Sequence, residues 1–303
     1  MRAGMAGHVA RSSVRPASET GAVGSLRTFL RTFDGVTIDA VYEPHDAVYE
    51  TDRAVYDAGA PPSGDVAFVV AHGFTGDVDK PHVRRVAQAF AQHGAVVTFS
   101  FRGHGRSGGS STVGDREVHD LAAAVSWARA LGHQRVVTVG FSMGGSVVLR
   151  HAALYGASAA AAGPEHEGRT EAGAGTDAVV SVSAPARWYY RGTPRMRRVH
   201  WLVTRREGRL VSRYGLRTRI HHRGWDPVPL SPVEAVPHIA PTPLLIVHGD
   251  IDGYFPVDHP HMLAAAAGDH GELWLEPGMG HAEHAATDGL LDRIGDWAAA
   301  KAG

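Results

Sequence analysis

Three residue types in this 303-residue chain have the chemistry to cooperate: a serine between glycines, a histidine in a late glycine-bearing loop, and two aspartates in the loop before it. The serine is Ser142, in the run VVTVGFSMGGSVVL from Val136 to Leu149. β-Branched residues end at Gly140, and Gly144 and Gly145 open what reads as a helix. A strand that turns sharply into a helix needs bulk-free residues on both sides of the turn. Ser142 then stands at the apex, at a helix N-terminus whose free N–H groups favour developing negative charge. A serine hydroxyl is a poor nucleophile by itself. It needs a base, and the base needs an acid to hold its tautomer. Together these groups perform acyl transfer.

The chain has 20 histidines, so the base must be chosen by position. In a parallel sheet, chemistry gathers in the loops beyond the strand C-termini, and the base belongs after a late strand. LWLEPGMGHAEH supplies His281 there, with His284 one helical turn on as its competitor. His221 and His222 lie in a basic run, and His259 and His261 read as loop or helix-start surface. The strand before, PLLIVHGDIDGYFP, offers Asp250 and Asp252, and by residue type either serves as the acid.

The elements that must position these groups follow from periodicity. LRTFLRTFDGVTIDAVYEP reads as an antiparallel pair around the Asp34-Gly35 turn. DVAFVVAHG is a continuous apolar run, as expected of a strand buried on both faces. The helical spacing of Val83, Val86 and Phe90 follows, then the strand AVVTFSF, the helix REVHDLAAAVSWARALG, the strand RVVTVGFS and a helix to about Tyr155. Strands return at AVVSVSAP, PLLIVHGD and ELWLEP before a final helix, ATDGLLDRIGDWAAAKAG. The alternation predicts an α/β fold with a mostly parallel sheet and helices on both faces. Residues 1–25 read as a disordered tail, 26–186 and 237–303 as the core, and 187–236 as an inserted cap. The stretches 45–64 and 156–177 read as loops.

Five motifs in order, AHGFTG at 71–76, FRGHGRS at 101–107, GFSMGG at 140–145, HGDIDGYFP at 248–256 and GMGHAEH at 278–284, resemble the α/β-hydrolase superfamily. The resemblance spans roughly Leu26 to Trp297 and is strongest to capped esterases and monoacylglycerol-lipase-like members. It implies Asp252, three places beyond a His-Gly pair, as the acid and His281 as the base. It further implies an oxyanion hole made by the backbone N–H groups of Phe74 and Met143. Ser100 departs from the pattern, which usually has an aspartate there. Serine at the turn argues against the aspartate-dependent dehalogenase and epoxide-hydrolase branches. The implied activity is hydrolysis of a carboxylic ester or thioester through an acyl-enzyme, without metal or organic cofactor. Peptidases, cofactor-free haloperoxidases and non-catalytic binding modules share the fold and are the alternatives.

From Arg187 to Arg223 the chain holds twelve arginines and one acid, Glu207, interleaved with aromatic and aliphatic residues, although Lys plus Arg (30) and Asp plus Glu (31) balance overall. The expectation is a cap whose charge recruits an anionic or lipid-like acyl ester or surface, against the plainer one of arginines paired with acids of the core. Overall neutrality gives no sign of nucleic acid as a partner. The chain has no cysteine, which excludes disulfides and thiolate chemistry. With no apolar run long enough to span a bilayer and no secretory leader, a cytoplasmic protein is expected.

Overall fold

The computed structural model describes residues 24–45, 66–156 and 173–303. The expected tail up to residue 23, and most of the loops expected at 45–64 and 156–177, lie outside the described residues. The elements in chain order are β1 (Leu26–Arg31), β2 (Thr37–Glu43), β3 (Val66–Ala71), α1 (Pro81–Phe90), β4 (Ala95–Phe99), α2 (Glu117–Ala130), β5 (Arg135–Phe141) and α3 (Met143–Tyr155). They continue with β6 (Ala178–Val182), α4 (Pro194–Thr204), α5 (Arg206–Gly215), α6 (Pro232–Ala235), β7 (Leu244–Gly249), α7 (Asp258–Ala267), β8 (Gly271–Glu276), α8 (Ala282–Ala285) and α9 (Asp288–Lys301).

The strands form one sheet of order β1-β2-β4-β3-β5-β6-β7-β8. β1 and β2 pair antiparallel, as do β2 and β4; every other pairing is parallel. Asp34-Gly35 falls in the β1–β2 turn, where Gly35 takes φ +81°. β3 is buried along its whole length, as its unbroken apolar run requires. One face of the sheet packs Leu121 and Val125 of α2, Val147 and Val148 of α3, and Leu263 of α7. The other packs Val86 and Phe90 of α1 with Leu291 and Ile294 of α9, and the Phe68 and Phe90 rings stack at 5.1 Å.

This strand order places the site. After β3 the chain moves one way along the sheet to β4, and after β5 it moves the other way to β6. A crevice opens between the C-terminal ends of β3 and β5, where the connections diverge. The register sets Ala71 opposite Gly140, so the loops that follow, beginning at His72 and Ser142, start side by side. The loops after β7 and β8 reach the same rim, with Gly249 opposite Glu276. α4 and α5 stand over it as a helical hairpin, while Val236 and Ile239, just beyond α6, are buried in the main core. No helix among the described residues is long and apolar enough to cross a membrane.

Candidate active site

Ser142 sits between β5 and α3 with φ 54° and ψ −111°, a backbone conformation that costs free energy in any residue with a Cβ. The glycines on either side make the turn possible. A Cβ on Gly140 would overlap the Gly144 carbonyl oxygen, and one on Gly144 would overlap that of Ala71. The Ser142 N–H donates to Val182 O at 2.9 Å, which ties the apex to the neighbouring strand end.

His281 Nε2 lies 2.9 Å from Ser142 Oγ, and His281 Nδ1 lies 2.7 Å from Asp252 Oδ2. An ionised carboxylate only accepts, so Nδ1 donates to it. In the neutral ring Nε2 is then free to accept the serine proton. The other oxygen of Asp252 accepts the Tyr254 N–H at 2.7 Å and the Phe255 N–H at 3.2 Å. Burial alone would raise the Asp252 carboxyl, but the His281 hydrogen bond and charge and the Tyr254 amide hold it below the ordinary aspartate range. The Tyr254 ring stacks on the imidazole at 4.2 Å.

The competing residues do not join this line. Asp250 is exposed and accepts the Gly278 N–H at 2.7 Å, fixing the turn after β8. His284 is exposed, and its ring lies 4.0 Å from that of His82. The expectation for His259 needs correction. It is fully buried in the first turn of α7, its Nδ1 accepts the Ala186 N–H at 2.8 Å, and burial pushes it down to about 4.

Phe74 and Met143 open the segments after β3 and β5, and among the described residues neither amide takes part in the loop and turn hydrogen bonds. The Phe74 peptide is fixed from behind. Its carbonyl half, Gly73 O, accepts from His72 Nδ1 at 2.7 Å and from the Gly76 N–H at 3.0 Å. His72 Nε2 accepts the Phe101 N–H at 3.1 Å. With both nitrogens engaged this way the ring is neutral, and complete burial, followed by the nearby His104, pushes it well below the usual histidine range. The Gly73 N–H donates to Glu283 Oε1 at 3.0 Å.

His72, His248 and Glu283 were not singled out from the sequence. His248 donates from Nε2 to Phe255 O at 2.8 Å and so ties down the loop that carries Asp252. A signal existed for the two histidines: both stand in His-Gly pairs that end apolar strands, AHG and VHG. Nothing comparable marks Glu283.

The cleft above Ser142 and His281 has a volume of about 480 Å³. Trp188, Tyr190, Met196, Val199, Leu216 and Trp225 give it apolar walls, and Arg187, Arg191 and Arg223 also face it. Among the described residues, no cluster of three His, Cys, Asp or Glu side chains is arranged to hold a metal ion.

The sequence model of the alpha/beta hydrolase family matches residues 68–292. The chain belongs to the α/β hydrolase family. A monoacylglycerol lipase of Mycolicibacterium smegmatis is 30% identical to this hydrolase over 237 residues, covering 70% of this chain and 80% of the lipase. The Pyrococcus furiosus esterase Pf2001 has the same fold, with a TM-score of 0.65 at 20% identity over 92% of each chain. So does the α/β hydrolase GrgF from Penicillium sp. sh18, with a TM-score of 0.63 at 17% identity over 92% of this chain and 99% of that one. In sequence the hydrolase is thus similar to a lipase, and in fold to an esterase.

Proposed function

We propose that this hydrolase cleaves carboxylic esters or thioesters of apolar acyl chains through an acyl-enzyme on Ser142. One observation carries the reading: Ser142, His281 and Asp252 form a single hydrogen-bonded line, 2.9 Å and 2.7 Å in its two links, at the floor of an apolar cleft. Ser142 Oγ attacks the carbonyl carbon while its proton passes to His281 Nε2, and Asp252 stabilises the imidazolium from the other side. The carbonyl oxygen, now negative, accepts the N–H groups of Phe74 and Met143, each worth about 3 kcal/mol in the transition state. The alcohol or thiol leaves with the proton from His281. Water then attacks the acyl-serine by the same steps in reverse, and the acid is released.

The apolar walls favour an acyl chain over a charged peptide, and the likeness to a protein named monoacylglycerol lipase agrees with a lipid-like ester. The test is covalent labelling by a fluorophosphonate, followed by turnover of a panel of acyl esters, thioesters and peptide amides. Ser142→Ala should abolish labelling and turnover with the melting temperature unchanged. Labelling that survives this change, or turnover of amides alone, would overturn the reading.

A further inference from the structure

The loop after β7 that carries Asp252 is also where the cap is seated. α4 starts after Thr193, whose hydroxyl accepts the Met196 N–H at 3.2 Å and so caps the helix. The same hydroxyl donates to Tyr254 O at 3.0 Å. Arg195, the second residue of α4, sets its guanidinium carbon 5.3 Å from the centre of the Tyr254 ring. It has room there because residue 253 is glycine: a Cβ on Gly253 would lie 2.6 Å from Arg195 Nη1. Two side chains at the start of the cap thus hold one residue of the loop, one by its carbonyl and one by its ring.

Ion pairing does not account for this placement of Arg195. Of the twelve arginines from Arg187 to Arg223, only Arg187 forms an ion pair among the described residues, with Asp258 at 3.0 Å. The plainer expectation, in which cap arginines pair with acids of the core, therefore holds for Arg187 alone among those residues. The partner of Arg195 is a π face, which attracts a guanidinium. Tyr254 in turn meets both the acid and the base. Its N–H donates to Asp252 Oδ1 at 2.7 Å, and its ring stacks on the His281 imidazole at 4.2 Å and 28°. The hydrogen bonds at His281 Nδ1 and Nε2 lie along the plane of the imidazole and resist its tilting only weakly. A flat ring at stacking distance blocks that tilt.

We propose that Arg195 of the cap is a positioning residue for the base: it holds the Tyr254 ring against His281, in the orientation that receives the Ser142 proton. The proposal rests on the acyl-enzyme reading of Ser142. Arg195 touches no reacting atom and acts through Tyr254 alone. The start of α4 then has two tasks, since Met196 and Val199 on the same helix line the cleft. A cap that lifts releases Tyr254 and loosens the imidazole, so proton transfer depends on α4 being seated.

The experiment uses the full chain and three readouts: the second-order rate of labelling by a fluorophosphonate, kcat and KM for a small neutral ester, and the melting temperature. Tyr254→Leu should lower the labelling rate and kcat about tenfold, with a smaller change in KM. Tyr254→Phe, which keeps the ring and the peptide, should recover most of that loss. Arg195→Gln should lower both rates about fourfold, and it changes an exposed side chain, so the fold is kept. Gly253→Ala, which pushes the guanidinium off the ring, should match it. In the Tyr254→Leu background Arg195→Gln should add nothing, because residues that act through one another do not lose activity additively. Equal rates in wild type and Arg195→Gln, additive losses in the double variant, or an effect confined to KM overturns the proposal and leaves the Ser142 reading standing. Losses that follow the melting temperature make the contact structural only, which also overturns it. A wild type that the probe does not label overturns the Ser142 reading, and the proposal with it.

Discussion

At the scale of single residues, the two aspartates after β7 take different partners. They are two positions apart in one turn, and residue type alone leaves both open. Asp252 faces the imidazole at 2.7 Å, while Asp250 accepts a backbone N–H of the next loop. Asp252→Asn should therefore lower kcat by several orders of magnitude on the proposed mechanism, because an amide can present an N–H where Nδ1–H needs an acceptor. Asp250→Asn keeps an acceptor oxygen for the Gly278 N–H and should stay within a few-fold of wild type. Steady-state kinetics of both variants on one ester decide the matter, and equal losses would leave the acid unassigned. That Ser142, His281 and Asp252 meet in one hydrogen-bonded line was legible because strand-to-helix and strand-to-loop junctions carry local signals: glycines, an apolar run that ends, a titratable group just beyond. His259 was misjudged because its burial comes from partners distant in sequence. Its ring packs edge-on against Tyr190, and its Nδ1 accepts the Ala186 N–H 73 residues away.

Between elements, the strand and helix order was readable from periodicity, whereas the bonds that tie one loop to another were not. The bond from the Gly73 N–H to Glu283 joins positions 210 residues apart, and no local pattern announces it. It links the loop after β3, which carries the proposed Phe74 donor, to α8, which begins one residue after His281. Glu283 is 4% exposed, so removing its carboxylate strands a buried N–H and frees the loop. Glu283→Ala should reduce kcat about tenfold with a smaller change in KM. Glu283→Gln, which still offers a carbonyl oxygen, should recover most of the loss. A second tie holds the β1–β2 hairpin to the sheet. Asp34, legible as a turn residue, also accepts from Arg102 Nη1 at 2.6 Å and Nη2 at 3.0 Å. Burial opposes its ionisation, but the Arg102 and Thr32 hydrogen bonds win and bring its carboxyl down to about 2. A depressed carboxyl stabilises the fold above its unfolded value, near 3.9, and the gain is lost as pH falls through the folded one. Asp34→Asn should therefore cost about 1 kcal/mol at neutral pH, the full shift being discounted because much of the group is in water. The gap between wild type and variant in thermal or urea unfolding should narrow from about pH 4 downward. A gap that is constant with pH would assign the effect to the turn and not to the ion pair.

Across the whole molecule, a chain balanced in charge concentrates its cations on one lobe, and the fold divides them into two groups that the sequence presents as one. Arg206 and Arg213 lie on the exposed side of α5, which Glu207 shares, whereas Arg191 and Arg223 face the cleft beside Trp188 and Trp225. On the proposed function, the second group is the one placed to meet substrate. Cations at a cleft mouth raise the local concentration of anionic substrates, and the effect is screened over about 10 Å at 0.1 M salt. Arg191→Gln with Arg223→Gln should therefore lower kcat/KM for an acyl ester with a carboxylate or phosphate head about tenfold at low salt, and flatten its salt dependence. Turnover of a neutral short-chain ester should change little, since the line from Asp252 through His281 to Ser142 does not depend on either arginine. The comparison requires both esters at low and high salt, with circular dichroism to confirm that the variant folds. If both esters lose activity alike, or the anionic ester is never preferred by wild type, the cleft arginines shape the cap and do not select the substrate.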